Sequence, residues 1–480
     1  MTLSSTSQRT IAASVAALLL LAGAAGLISL LQQEPVALVE RVRQAGTLVV
    51  ATRRSPATYF NGATGPDGIE YALVNAFARH LGVRVRFVFP DTLEELLDAT
   101  ERGGVHMAAA GLTFTESREQ RVSFTLPYEY ITEQLIYRRG TERPRSLTDI
   151  AAGDLHIVAG SSHEETLRRL RETQFPALSW QAHPASSSSN LLSQVDQGRL
   201  RLTVADSNAS ALKRRVFTRT ATAFELGDTK PIAWAFSNLG DASLRRAACR
   251  FLQGLERDGT LKRLRARYFG HSGRLNFVDT REFWRHVRDR LPRYQAYFER
   301  AAEQTGIDWR LLAAIGYQES HWQADAVSPT GVRGIMMLTQ VTAKQIGIED
   351  RNDPEQSIIG GAKYLRVVEE KIPDRIPEPN RMWLTLAGYN IGFGHLEDAR
   401  ILTERDGADP DLWLEVKQRL PLLSRKKYYE TVRHGRARGR EPVDYVDNIR
   451  NYYDLLVWYT TTSDRQTRDR LLSPENGDGA

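Results

Sequence analysis

The feature that most constrains the fold is a change of apolar periodicity part-way along the chain. Before it, strand-length apolar runs alternate with helix-length segments. Gly46-Thr-Leu-Val-Val-Ala-Thr52 reads as a buried strand, about Tyr71 to Leu81 as a helix, Val83 to Phe89 as a strand, and about Leu93 to Arg102 as a helix. Met107-Ala-Ala-Ala-Gly111 is the next buried segment. Leu155-His-Ile-Val-Ala-Gly160, with a helix over Glu164 to Glu172 behind it, opens a second unit of the same kind. Alternation at these lengths implies α/β architecture with a mostly parallel sheet in each of two lobes, and so a cleft between them suited to a small ligand. From Phe283 onward every periodic segment reads as helix: Phe283 to Ala302, Val341 to Ile346, Ser357 to Lys371, Trp383 to Tyr389, His395 to Asp406, Leu412 to Arg419 and Val443 to Tyr459. Pro373, Pro377 and Pro379 mark a connecting loop. A chain of 480 residues is too long for one core, which agrees with two domains of different class.

The pattern breaks between His271 and Thr280, around Gly273 and a short strand-like Leu-Asn-Phe-Val. The expected segments are therefore 1–33, an export segment; 34–270, the α/β domain; 271–462, the all-α domain; and 463–480, a polar, aperiodic tail expected to be disordered. Ile11 to Leu31 is uncharged and largely apolar behind a short polar stretch carrying Arg9. It is long for a cleaved signal and just sufficient for a spanning helix. Small residues at Ala22, Ala24 and Ala25 favour cleavage, and either way the remainder is delivered outside the cytoplasm. The single cysteine, Cys249, lies in an apolar-periodic helix and reads as a buried structural thiol. It rules out an internal disulfide, a cysteine metal cluster and a lipid on an N-terminal cysteine. A formal charge of +6 from scattered arginines biases the protein toward an anionic partner, but no aromatic-interleaved basic stripe or other nucleic-acid motif is present. No cofactor or metal is expected.

Within the all-α part, Leu311, Leu312 and Ile315 share one helix face, and Glu319 continues it where the next core residue would stand. Asp308 fits as N-cap and Trp309 as the first helical residue, so the acid falls at the helix C-terminus beside apolar walls. Burial and the negative end of the helix dipole both favour its neutral form, which suits a proton donor at neutral pH. A lone glutamate at a helix end is more often a solvated acid, and the surrounding residues decide between the two. Glu319-Ser320 is followed by Gly331-x-x-Gly334-Ile-Met336 and then by Ala387-Gly-Tyr389-Asn390-Ile-Gly392. In this order the three resemble the lytic transglycosylase domain related to goose-type lysozyme.

That resemblance implies peptidoglycan as substrate and cleavage of the MurNAc-GlcNAc β-1,4 bond without water. Glu319 would act first as acid and then as base toward the muramoyl C6 hydroxyl, closing a 1,6-anhydro ring. A hydroxyl held by the substrate itself replaces the second carboxylate that glycosidases normally need. Asp325, Asp353 and Glu397, the nearest candidates for that second acid, read as solvated or loop acids. By resemblance Ser320 hydrogen-bonds near the reacting sugar, Tyr389 orients Glu319, Asn390 contacts substrate, and Gly331 to Met336, with Gly334 among them, line the groove. Met337 stands where many relatives carry glutamine. The same implication leaves two rivals, a lysozyme-type hydrolase and a non-catalytic sensor of wall fragments.

The α/β part carries Pro56-Ala-Thr-Tyr59, Gly111-Leu-Thr113-Phe-Thr115-Glu-Ser-Arg118, Phe124-Thr-Leu-Pro127-Tyr128, Ala205-Asp206-Ser, and Gly259-Thr-Leu through Tyr268-Phe-Gly270. These resemble the family-3 periplasmic solute-binding proteins. The resemblance implies a two-lobed binding-protein fold with an amino acid or muropeptide as regulatory ligand: Thr113 and Arg118 on its carboxylate, Asp206 on its α-amine, Tyr59 stacked beside it. An arginine fork on a carboxylate and an aspartate on an ammonium are sound on their own chemistry. His106 departs from the pattern, standing where such proteins usually have aspartate. Lys427-Tyr-Tyr429 and Gly439-Arg-Glu-Pro-Val-Asp-Tyr445-Val extend the helical match, and Arg433, Arg436, Arg438 and Arg440 either touch anionic stem peptides or form a solvated run. The two domains on one exported chain resemble the membrane-bound lytic transglycosylases. This implies a periplasmic protein peripheral to the inner face of the outer membrane, or one anchored in the inner membrane by residues 11–31.

Overall fold

The computed structural model describes residues 36–461 apart from 56, 64, 185–186, 214–215, 271–276 and 330. The export segment, Pro56 and the C-terminal tail lie outside these residues. Among the described residues no helix is long and apolar enough to cross a membrane.

The α/β part is built on two five-stranded sheets. In the first, Arg84–Val88, Thr47–Ala51 and Met107–Ala108 run parallel, Ala235–Ser237 lies antiparallel beside them, and Val122–Phe124, antiparallel to Ala235–Ser237, completes the sheet. The second orders Gln181–His183, Leu155–Val158, Leu202–Asp206, Glu133–Arg138 and Thr220–Glu225, its first three strands parallel. The chain crosses between lobes twice. The two crossings pair as an antiparallel ribbon, Glu129–Ile131 against Lys230–Ile232. Parallel strands buried on both faces explain the continuous apolar runs, and Leu155–Val158 is buried throughout. His106 does what an aspartate would at its turn: its Nδ1 accepts the Val49 N–H at 2.9 Å while its own N–H donates to the Val49 carbonyl.

From Phe277 the described chain is helical. The single helix expected over Phe283 to Ala302 is two, Phe277–Asp289 and Leu291–Thr305. Pro292 sits in the first turn of the second, where its missing N–H is no loss, whereas inside a continuous helix it would remove a bond and clash. Phe277 and Val278, expected in a strand-like stretch, open the first of these helices. Cys249 is half-buried on the Ser243–Arg257 helix rather than fully buried.

The Trp309–Ser320 helix begins as its sequence dictates, with the Asp308 side chain accepting the Arg310 N–H at 2.9 Å. It departs from a one-faced helix, because every residue from Leu311 through Tyr317 is buried. At Gly316, one turn after Leu312, a Cβ would stand 3.1 Å from both Ile335 and Phe298, so neighbouring elements pack closely against the helix.

The two parts touch at a small hairpin of the first lobe, Phe60–Gly62 paired with Gly65–Asp67. Its Ala63 carbonyl accepts from Arg310 Nη2 at 3.1 Å and its Asn61 carbonyl from the Thr461 hydroxyl at 3.1 Å. A third bond joins Arg450 Nη2 to the Arg267 carbonyl at 2.7 Å.

Candidate active site and ligand cleft

Glu319 is the penultimate residue of its helix and half-buried. Its Oε1 accepts a hydrogen bond from the Tyr445 hydroxyl at 2.6 Å. Burial pushes the carboxyl up to about 7, while the tyrosine bond, which favours the ionised form, pulls against it. Burial wins. Among the described residues no second carboxylate contributes to that shift. Burial, with Glu319 and Tyr389 nearby, also holds the Tyr445 phenol well above its ordinary value, so it stays a donor.

Tyr389 does not orient Glu319 by a hydrogen bond: its hydroxyl donates to the Met336 carbonyl at 3.1 Å. It is still a neighbour of the acid, since burial and then Glu319 raise its phenol far above the ordinary range. Ser320 is buried, and its hydroxyl is shared between the Ile335 carbonyl at 2.9 Å and the Gly316 carbonyl at 3.2 Å. It ties the loop to the helix, and the αL residue His321 turns the chain immediately after it. Met336 likewise turns inward. Its side chain lies against Gly361, where a Cβ would come within 2.6 Å of it, and its N–H donates to Ser357 Oγ at 3.2 Å. Its carbonyl is the atom that meets the Tyr389 hydroxyl. Gly334 has φ +81°, and a Cβ would stand 1.9 Å from the Arg351 carbonyl, so this glycine is required by both conformation and space. Asn390 is exposed at the end of the Asn380–Ile391 helix.

The loop after Glu319 holds three non-glycine residues at positive φ, His321 at 51°, Trp322 at 56° and Met337 at 48°. Such conformations persist only where surroundings enforce them. Here Trp322 is buried, with its Nε1 donating to the Ala313 carbonyl at 2.8 Å. Of the acids weighed as second carboxylates, Asp353 caps the Pro354–Glu369 helix, Glu397 pairs with Arg400 at 2.6 Å, and Asp325 is exposed.

In the cleft, Thr113, Arg118 and Asp206 come together, each already engaged. Buried Arg118 donates to the Thr113 carbonyl at 2.9 Å and, across the cleft, to the Gly160 carbonyl at 3.1 Å, with Glu165 at 3.7 Å. The Ser162 hydroxyl reaches Thr113 Oγ1 at 3.3 Å, so first-lobe groups touch second-lobe groups directly. Asp206 Oδ1 lies 2.8 Å from His163 Nε2. Burial alone would raise the Asp206 carboxyl, but His163, Arg53 and Arg118 hold it below its ordinary value. Tyr59 packs edge-on against Tyr71, Phe87 and Phe89. Ligand atoms of Glu133, His163 and Asp206 lie within 4.8 Å of one another, a spacing a metal ion could bridge. The Lys230 ammonium, 2.9 Å from Glu133, already supplies positive charge there.

Sequence reasoning missed Tyr445 as the partner of Glu319, and Arg53, His163 and Glu165 in the cleft. The first was within reach, since Tyr445 stood in a matched stretch; the others carried no motif.

A two-lobed binding fold joined to a helical domain whose half-buried Glu319 is held by a tyrosine hydroxyl, with its pKa raised to about 7, fits a glycan-cleaving enzyme class equipped with a solute-binding domain. Residues 296–409 match the Transglycosylase SLT domain family, and residues 48–271 match the bacterial extracellular solute-binding proteins, family 3. The chain is 49% identical to membrane-bound lytic murein transglycosylase F 1 of Alkalilimnicola ehrlichii, covering 90% of this chain and 88% of that protein. It is 46% identical to membrane-bound lytic murein transglycosylase F of Pseudomonas fluorescens over 88% of this chain and 87% of that one, and 42% identical to the protein of the same name from Saccharophagus degradans over 91% and 87%. The chain belongs to the membrane-bound lytic murein transglycosylase F family.

Proposed function

We propose that this protein is a peptidoglycan lytic transglycosylase in which Glu319 is the only catalytic carboxyl. The observation that carries the reading is a carboxyl poised at about 7 whose hydrogen-bond partner is a tyrosine hydroxyl and not another acid. In its neutral form Glu319 protonates the glycosidic oxygen between MurNAc and GlcNAc. The resulting carboxylate then takes the proton of the muramoyl C6 hydroxyl, which attacks C1 and closes the 1,6-anhydro ring. Tyr445 holds Oε1 through both steps. Tyr389, through the Met336 carbonyl, fixes the loop that Gly334 and Ser320 shape, and exposed Asn390 is placed to meet the glycan.

Residues 34–270 form the regulatory domain and 271–462 the catalytic domain. An amino-acid-bearing wall fragment takes the cleft, its carboxylate replacing Gly160 and Glu165 on Arg118 and its amine replacing His163 on Asp206. The protein works in the periplasm, peripheral to the inner face of the outer membrane.

Mass spectrometry of digested sacculi tests the chemistry. 1,6-Anhydromuropeptides from wild type and none from Glu319→Gln are expected. Reducing-end muramic acid would mark a hydrolase, and unchanged digestion by Glu319→Gln would remove Glu319 from the mechanism. Calorimetry with amino acids and muropeptides tests the cleft, and no heat from either would make that domain a spacer.

A further inference from the structure

At the end of the second lobe opposite the cleft, three loops surround a cavity of about 340 Å³. Asp154 and Arg201 precede the parallel strands Leu155–Val158 and Leu202–Asp206, whose other ends carry the cleft residues Gly160 and Asp206. Arg138 ends the neighbouring antiparallel strand. The cavity is thus separated from the cleft by the length of the sheet.

Its lining is strongly basic. Arg138, Arg199 and Arg201 face a single acid, Asp154, which Arg201 holds at 2.6 Å, leaving an excess of two positive charges. Arg138 lies over Gly198, where a Cβ would stand 3.2 Å from its guanidinium carbon, so the glycine admits the flat group against the backbone. The Arg138 Nε is buried and has no hydrogen-bond partner. A buried guanidinium N–H without an acceptor is costly in a protein that satisfies nearly all such groups. An acceptor-rich ligand would satisfy it. His156 closes the wall; burial and its neighbour His183, 3.0 Å away, lower its pKa, so the imidazole adds no charge at neutral pH.

We propose that this cavity is an anion site for a phosphate monoester group. A planar carboxylate is matched by one arginine fork. Two unneutralised guanidinium groups arranged around a cavity fit a tetrahedral dianion, whose oxygens accept from several directions. The volume is at the lower end of small-ligand pockets, so the phosphate has room for the group it esterifies. That group is either a soluble phosphorylated molecule or a lipid headgroup.

The test uses the full-length protein with inorganic phosphate, by calorimetry at constant ionic strength, and cosedimentation with phosphatidylcholine vesicles containing or lacking phosphatidic acid. Saturable phosphate binding is expected. Arg138→Gln with Arg199→Gln should weaken it about tenfold or more, the equivalent of about 1.4 kcal/mol, and exposed Arg199→Gln alone several-fold, with sacculus digestion in phosphate-free buffer unchanged. Phosphate binding without preference for phosphatidic acid supports a soluble ligand. A preference that the double variant abolishes supports a headgroup. Absence of saturable phosphate binding together with vesicle binding indifferent to both variants overturns the site.

Discussion

Tyr445→Phe separates the two opposing influences on Glu319. The substitution keeps a ring that is 5% exposed and deletes only the hydroxyl 2.6 Å from Oε1, so packing is preserved. That hydrogen bond favours the carboxylate. Hydrogen bonds to charged groups contribute about 1.5–3 kcal/mol, and each pKa unit is about 1.4 kcal/mol, so the carboxyl should rise by roughly 1 unit or somewhat more. From a starting value of about 7, the acid goes from half protonated at pH 7 to roughly nine-tenths protonated. The protonated form starts the reaction, so the alkaline limb of the initial rate at limiting sacculus concentration should move from about pH 7 to about pH 8. Its plateau should fall, because the unheld carboxyl samples more orientations, but by less than the roughly 10²–10⁴-fold that general acid catalysis is worth. The assay is muropeptide release across the pH range with wild type, Tyr445→Phe and Glu319→Gln side by side. A limb that stays in place, or moves to lower pH, would refute the hydrogen bond as a determinant of Glu319 ionisation.

Three further outcomes follow from the same geometry. Because the folded-state pKa of Glu319 lies above the unfolded value near 4.5, wild type loses stability as pH rises from about 4.5 to about 7; the total is about 3 kcal/mol, and Glu319→Gln should remove that slope, seen as a Tm difference that grows with pH and then levels off. Equal Tm differences at low and high pH would contradict it. Gly334→Ala forces a Cβ to 1.9 Å from the Arg351 carbonyl at φ +81°, and should cost about 2–4 kcal/mol, read as a lower urea midpoint; an unchanged midpoint would show the loop to be pliable. Arg310→Met with Thr461→Val removes two hydrogen bonds to the hairpin and should bring the ratio of sacculus digestion rates with and without a muropeptide in the cleft toward one, whereas an unaltered ratio would place the coupling elsewhere.

What the sequence made legible was whatever local chemistry specifies. The Asp308 cap fixed the start of the Glu319 helix, and buried strands stood out as apolar runs without alternation. What it hid was set by partners distant in the chain. Tyr445 lies 126 positions from Glu319, on a helix where Tyr452 and Tyr453 offer the same helical spacing, so periodicity alone reads it as core. Tyr389 donates to the Met336 carbonyl and not to Glu319, and the choice between a carboxylate and that carbonyl depends on where a loop with three positive-φ residues returns. His163 and Glu165 sit in a helix otherwise rich in charge, and only the closeness of the lobes turns them into partners of Asp206 and Arg118.

The hairpin contacts give the two-domain arrangement a physical meaning. Tyr59, just before the hairpin, belongs to the aromatic cluster of the first lobe, and the hairpin's own carbonyls bind Arg310 and Thr461. Arg310 is in the first turn of the helix that carries Glu319 as its penultimate residue, and Thr461 is the last residue of the helix that carries Tyr445. The pair whose 2.6 Å bond opposes the effect of burial on Glu319 is thus borne by the two helices that the binding domain grips. A hydrogen bond to a carboxylate weakens steeply with misalignment. A slight rotation of one helix against the other would therefore change both the pKa and the aim of the acid.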